Sequence, residues 1–175
     1  MQYFSEEAAL YLSMTSNLAY AVLFIFHFVK KNSNKSLMVV AGCMCLHMVF
    51  IHGFLAYMLS FDKSTPSYLN LIVDVYLIWI AHSAVTSITI FVLHKLSKVK
   101  FHYNVRYVFY GLMVITLLNF VMYIDIIVMG NREAYWLWTV FSYGENIVNL
   151  FILLSILIAR QWSEVFKWLQ LAHSR

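Results

Sequence analysis

Three acids lie inside apolar runs of this chain: Asp74, Asp125 and Glu145. An ionisable group in hydrocarbon is costly and marks a functional site by default. Glu145 is the sharpest case. It falls near the middle of its run, between Ser142, Asn146 and Asn149, and no Lys or Arg shares its depth. An isolated carboxylate there is expected to hold its proton, and a group that holds and releases a proton can carry one. Histidines stand at several depths, with His47 and His82 near the middle and His52 further out. Carboxylate and imidazole chains are the groups that proton pathways use. The candidate pathway is therefore Glu145, Asp74, His82, Asn146, Asn149, His52 and Asp125.

Asn, Ser and Thr in such runs also act as glue between helices, at about 0.6 kcal/mol per contact. Asn70 and Asp74 share a face, as do His82, Thr86 and Thr89, and Thr116, Asn119 and Tyr123. Ser142, Glu145, Asn146 and Asn149 form the densest polar stripe, with Gly144 beside it for close approach. These faces are expected to point inward. Asp125, near an outer end, can alternatively reach the headgroups.

The run Cys43-Met44-Cys45-Leu46-His47-Met48 has the residue types of a soft-metal site for copper. Its spacing argues for packing. Cys43 and His47 share a face, Met44 and Met48 lie on the next, and one helix cannot wrap all of them round one ion. Cys43 and Cys45 point about 200° apart on a helix, which excludes a disulfide between them. His47 and His82, at similar depth on adjacent helices, are conceivable axial ligands of haem b. Against it, such pockets are roomy and glycine-lined, and the chain has five Gly. No metal or cofactor is expected on balance.

Enzyme motifs are absent. There is no Gly-x-Ser-x-Gly elbow, no His-Glu-x-x-His and no phosphate-cradling glycine loop. Ser83 and His82 are adjacent and diverge by about 100° on a helix, so they make no relay.

The elements that must position these residues follow from composition. Of the 175 residues, 62% are hydrophobic and 11% charged. Soluble domains carry about 25% charged residues, so an ordinary soluble fold is excluded, and so is disorder. One Pro in the chain favours long unbroken helices over a turn-rich barrel. A spanning helix needs about 20 apolar residues. Five runs meet this, at about 8–29, 37–59, 68–93, 107–129 and 134–159. The spacing predicts an all-α membrane protein, five transmembrane helices in an up-down bundle. Residues 1–159 form the spanning domain and 160–175 a tail. In the tail Trp162, Val165, Phe166 and Leu169 share one face, which predicts an amphipathic helix at the membrane surface or a continuation of the fifth span. No internal repeat supports an inverted-repeat transporter.

Of the twelve Lys and Arg, ten fall at residues 30–35, 95–106 and 160–175, all at one end of the predicted bundle. By the positive-inside rule the N-terminus is outside and the C-terminus cytoplasmic, in the inner membrane if the host is bacterial. The net charge of +4 then reports topology, with attraction to anionic lipid and no nucleic-acid partner. Residues 1–29 lack the basic start and cleavage site of a signal peptide.

Three functions are consistent with this pattern. The first is a subunit of an oligomeric channel, transporter or ion-driven complex moving protons or small cations, as a homo-oligomer or with partner membrane subunits. The second is a sensor, assembly factor or scaffold whose polar residues are glue. The third is a haem b or quinone-reactive electron-transfer subunit.

Overall fold

The computed structural model describes the backbone of residues 6–30, 34–59, 66–131 and 136–173. Side chains of residues 6–13, 17, 55, 58–59, 66–74, 142 and 159–173 lie outside the description. Every regular element among the described residues is helical: α1 (Glu6–Val29), α2 (Lys35–Leu59), α3 (Pro66–Leu96), α4 (Val105–Tyr123), a π-helical turn (Ile124–Val128) and α5 (Trp136–His173).

Four stretches are long and apolar enough to cross a membrane: Lys35–Phe54, Val75–Leu96, Val105–Val128 and Trp136–Ile158. Such helices are what an integral, multi-pass membrane protein requires. The sequence predicts five. The fifth candidate is α1, whose described apolar part, Met14–Val29, is shorter than the other four. The tail also differs from a separate surface helix in one respect. α5 runs unbroken from Trp136 to His173, so the backbone continues the last span without a hinge.

The helix ends have local causes. Asn34 Oδ1 accepts the Ser36 N–H at 3.0 Å, satisfying a donor in the first turn of α2. Pro66 opens α3, where its missing N–H costs nothing. Lys98, at φ 52°, turns the chain out of α3 while the Val99 N–H caps the His94 carbonyl at 3.0 Å. Gly130, at φ 68°, ends the π turn, and the next amide, Asn131 N–H, reaches back to the Asp125 carbonyl at 3.1 Å.

Sequential helices pack against each other, and α1 also meets α5, which closes the ring. Two apolar clusters fill the interior. The larger joins Tyr20, Val40, Met44, Ile90, Val108, Leu112, Ile152 and Ile156. The smaller, toward the other end, gathers Tyr76, Met122 and Ile126 with the partly buried Trp79, Trp138 and Phe141. The outward faces carry exposed Leu18, Phe28, Leu46, Ile88, Met113 and Ile147. That inversion of the soluble pattern is what a lipid-facing surface needs.

Candidate functional site

The α4–α5 seam joins the two most informative polar residues. Asn119 is fully buried. One N–H of its amide donates to the Ile115 carbonyl at 2.9 Å, and the other to Glu145 Oε1 at 2.6 Å. Asn119 Oδ1 is buried without a hydrogen-bond partner among the described residues. Glu145 is half-buried. It stands nine residues from the start of α5, about 14 Å at 1.5 Å per residue, close to the middle of a hydrocarbon layer of about 30 Å. Lys and Arg in the four spanning stretches occur only at their ends, as Lys35, Lys95 and Arg106. The carboxyl group is thus held by an amide and not by a cation.

One turn further along α5, Asn149 receives the Tyr20 hydroxyl from α1 on its backbone carbonyl at 3.2 Å. Its own Oδ1 is buried with no partner among the described residues. Asn146 does not join this interior group. It lines a separate cavity of about 280 Å³ between α1 and α5, with Thr15, Ser16 and Tyr143.

Asp125 is 6% exposed. It sits in the π-helical turn, and Asn131 Nδ2 reaches its Oδ1 at 3.4 Å. A π turn inserts an extra residue into the helix and turns successive side chains to a new face. Here that brings both Asp125 and Ile126 to the buried side, below Met122 and Asn119. The headgroup-facing alternative for Asp125 is not the arrangement found. Asp125 is six residues, about 9 Å, from Asn119 along the helix.

Away from that end the seam is shut. A Cβ on Gly111 would lie 2.4 and 2.6 Å from Ile152 Cγ1 and Cδ1, so Ile152 rests directly on the α4 backbone. Leu112, Ile115 and Ile156 complete the plug. Beyond it the Asn104 amide donates to the Ser155 carbonyl.

His47 and His82 come together on α2 and α3, His47 fully buried and His82 partly so. Their rings stack at 4.5 Å with planes 4° apart, and Phe50 covers the other face of His82 at 4.1 Å. The hydrogen bonds fix their tautomers. The Thr86 hydroxyl donates to the His82 carbonyl at 2.9 Å, so it must accept from His47 Nδ1–H, also at 2.9 Å. His82 Nε2–H donates to the His47 carbonyl at 3.3 Å. His47 Nε2, left as an acceptor, is buried with no partner among the described residues, as is His52 Nδ1.

This arrangement does not fit a haem. Axial ligands point at one iron from opposite sides of a porphyrin, whereas these rings lie face to face with no slot between them. Cys43 is buried in the apolar core one turn from His47. Among the described residues no three His, Cys, Asp or Glu are grouped to hold a metal ion. The helix carrying Asp74 is described, but the Asp74 side chain lies outside the described residues, as do Asn70 and Ser142.

One polar network has no counterpart in the sequence reading. At the basic end of the bundle His94 Nδ1–H donates to the Ile90 carbonyl at 2.7 Å. Its Nε2 is therefore the acceptor for the Ser36 hydroxyl, at 2.7 Å. Ser36 Oγ in turn accepts the His102 N–H at 3.0 Å, and Phe101 stacks on His94 at 4.3 Å. The atoms are connected as in a Ser–His dyad, but Ser36 and His94 are 0% and 1% exposed. No substrate reaches them, and the network is a clasp between α2, α3 and the 97–104 loop. Residues 58 apart in sequence carry no spacing signal that could have paired them.

No protein-family model, curated protein or solved structure matches the chain. Function is therefore argued from the site alone.

Proposed function

We propose that the protein is a subunit of an oligomeric channel, transporter or ion-driven complex that moves protons or small cations, with Glu145 as the group that binds and releases the proton. The observation that carries this reading is the Asn119–Glu145 hydrogen bond. A mid-span carboxyl group is held in place by an amide while no fixed cation neutralises it. A structural carboxylate would be expected to have Lys or Arg as its partner, because a buried charge without a counter-charge is costly. A carboxyl group that alternates between proton-bound and proton-free needs a partner tolerant of both states, and an amide donating to Oε1 is one.

Asp125, buried about 9 Å along the helix from Asn119, supports an approach from that end. The Gly111–Ile152 plug blocks the other half of the seam, so conduction requires the α4–α5 contact to loosen. In this reading α1 is the fifth span, the N-terminus is outside and the basic end is cytoplasmic, in the inner membrane if the host is bacterial. The extension of α5 to His173 then reaches the inner headgroup layer.

The test is proton flux into proteoliposomes loaded with a pH-sensitive dye, driven by a potassium diffusion potential. Wild type conducts, and Glu145→Gln is expected to abolish flux while preserving the fold. Flux unchanged in the variant overturns the proposal.

The second reading, a sensor, assembly factor or scaffold, is favoured by a different observation. Thr86, Ser87, Thr116 and Asn119 all bond to carbonyls four residues back on their own helices, which is how polar side chains are satisfied when they only pack. Under that reading Glu145→Gln is silent, and a partner protein co-purifies with the chain and is lost on removing residues 160–175.

A further inference from the structure

At the basic end of the bundle an open groove of about 430 Å³ runs between α4 and α5. Its walls are Tyr103, Tyr107, Phe151, Leu154 and Ile158, and Asn104 and Ser155 lie at its base. Phe151 to Ile158 is seven residues, so the groove is about 10 Å long and runs from the helix ends toward the middle of the bilayer. Tyr107 of α4 and Phe151 of α5 meet edge to face at 6.0 Å and 86°, which bridges the two walls. The volume lies within the range of about 300–1,000 Å³ that small-ligand sites occupy. Polar groups are confined to the end nearest the loop, and the rest is aromatic and aliphatic.

Three cations lie within five residues of the Tyr103 wall along the chain. Lys98, Lys100 and Arg106 are all exposed, and the Arg106 N–H donates to the Tyr103 carbonyl at 3.2 Å, which sets Arg106 beside that wall. Among the described residues no acid lies in residues 95–111 to offset them. These cations are not on a loose tether. The clasp described above fastens the 97–104 loop to α2 and α3 through Ser36, His94 and Phe101.

An apolar trough whose loop-end wall is flanked along the chain by three cations fits a molecule with a hydrocarbon tail and an anionic head. We infer that this groove is a binding site for an anionic phospholipid of the bilayer, one acyl chain lying between α4 and α5 and the phosphate facing Lys98, Lys100 and Arg106. The inference is independent of proton movement through Glu145. The groove also sits on the side of the plug away from Glu145, where a bound chain would press on α5 beside Ser155.

The test is native mass spectrometry of the full chain released from nanodiscs of phosphatidylglycerol and phosphatidylcholine in equal amounts. Wild type is expected to retain one phosphatidylglycerol after collisional stripping of the rest. Each cation near a lipid phosphate is worth on the order of fivefold in affinity, so Lys98→Ala with Lys100→Ala should weaken retention about 25-fold. Ser155→Trp, which fills the groove, should abolish it. The pair Lys30→Ala and Lys31→Ala, in the other basic stretch of the sequence, should change nothing. The alanine pair at 98 and 100 is on the surface and keeps the test valid even where Ser155→Trp fails to fold. Three results would overturn the assignment: equal retention of phosphatidylcholine, retention unchanged in the 98/100 variant, or equal loss in the 30/31 variant, which would mark diffuse surface charge.

Discussion

Replacing Glu145 in two ways separates its structural from its chemical role. Gln and Glu have the same length, and a Gln carbonyl can accept from Asn119 Nδ2 just as Oε1 does at 2.6 Å. Glu145→Gln should therefore leave stability within about 1 kcal/mol of wild type. Glu145→Ala removes the acceptor and leaves one N–H of a fully buried amide unpaired, since the other is already committed to the Ile115 carbonyl. An orphaned buried donor costs about 1–3 kcal/mol. The Asn119 Oδ1 atom, already without a partner among the described residues, cannot relieve it. Asn119→Ala combined with Glu145→Ala removes both partners, so the double variant should lose less than the sum of the single variants. Coupling energies between hydrogen-bonded side chains in membrane helices average about 0.6 kcal/mol and reach about 1.7, and the cycle should fall in that interval. Reversible unfolding in mixed micelles, followed by circular dichroism, measures all four proteins. The reasoning fails if Gln destabilises as much as Ala, or if the single losses simply add.

Four further outcomes follow from other contacts. Gly111→Ala places a methyl group 2.4 Å from Ile152 Cγ1 and should cost about 1–3 kcal/mol, read by the same unfolding assay, with Ile152→Val recovering part of the loss. Thr86→Val deprives His47 Nδ1–H of its acceptor and should cost about 1–3 kcal/mol, while Thr86→Ser should stay near wild type. Ser36→Ala unfastens the 97–104 loop, and faster tryptic cleavage after Lys98 or Lys100 in nanodiscs checks it. His102 lies in that loop, outside the spanning stretches, and burial holds its imidazole below the usual histidine value of 6.5. The folded loop thus favours the neutral ring, whose Nδ1 accepts the Asn104 N–H. The stabilisation is present above pH 6.5 and is lost as pH falls from there through the depressed value. An NMR titration of the His102 ring should give a midpoint below 6.5, and a midpoint at or above it refutes the claim.

Much of this molecule is legible in its residues. Low charge, a single proline and runs of about 20 apolar residues leave helices as the architecture, because a backbone in lipid must satisfy its own hydrogen bonds. The polar stripe on α5 singled out Glu145, and Gly144 marked a close approach that packing against Leu118 then uses. Other features could not be read this way. The π turn that buries Asp125 has no sequence rule, and one inserted residue changes which face a side chain occupies. Periodicity gives the face of Asn146 only to within a helix sector, and the tertiary contacts send it to the α1 side while Glu145 faces α4.

Pairing is the other step that required the fold. His47 and His82 share a depth in any antiparallel α2–α3 hairpin, which the sequence determines. Whether their rings face an iron, a channel or each other depends on helix rotation and separation of a few ångströms. Ser36 and His94 are ordinary residues near two helix ends until the turn at Lys98 and the stack on Phe101 bring them together. Sequence thus determined which residues are too polar for their surroundings, since that depends only on local composition and depth. Tertiary structure decided how each is satisfied, because a hydrogen bond between helices depends on rotation, register and backbone separation, which no single run encodes.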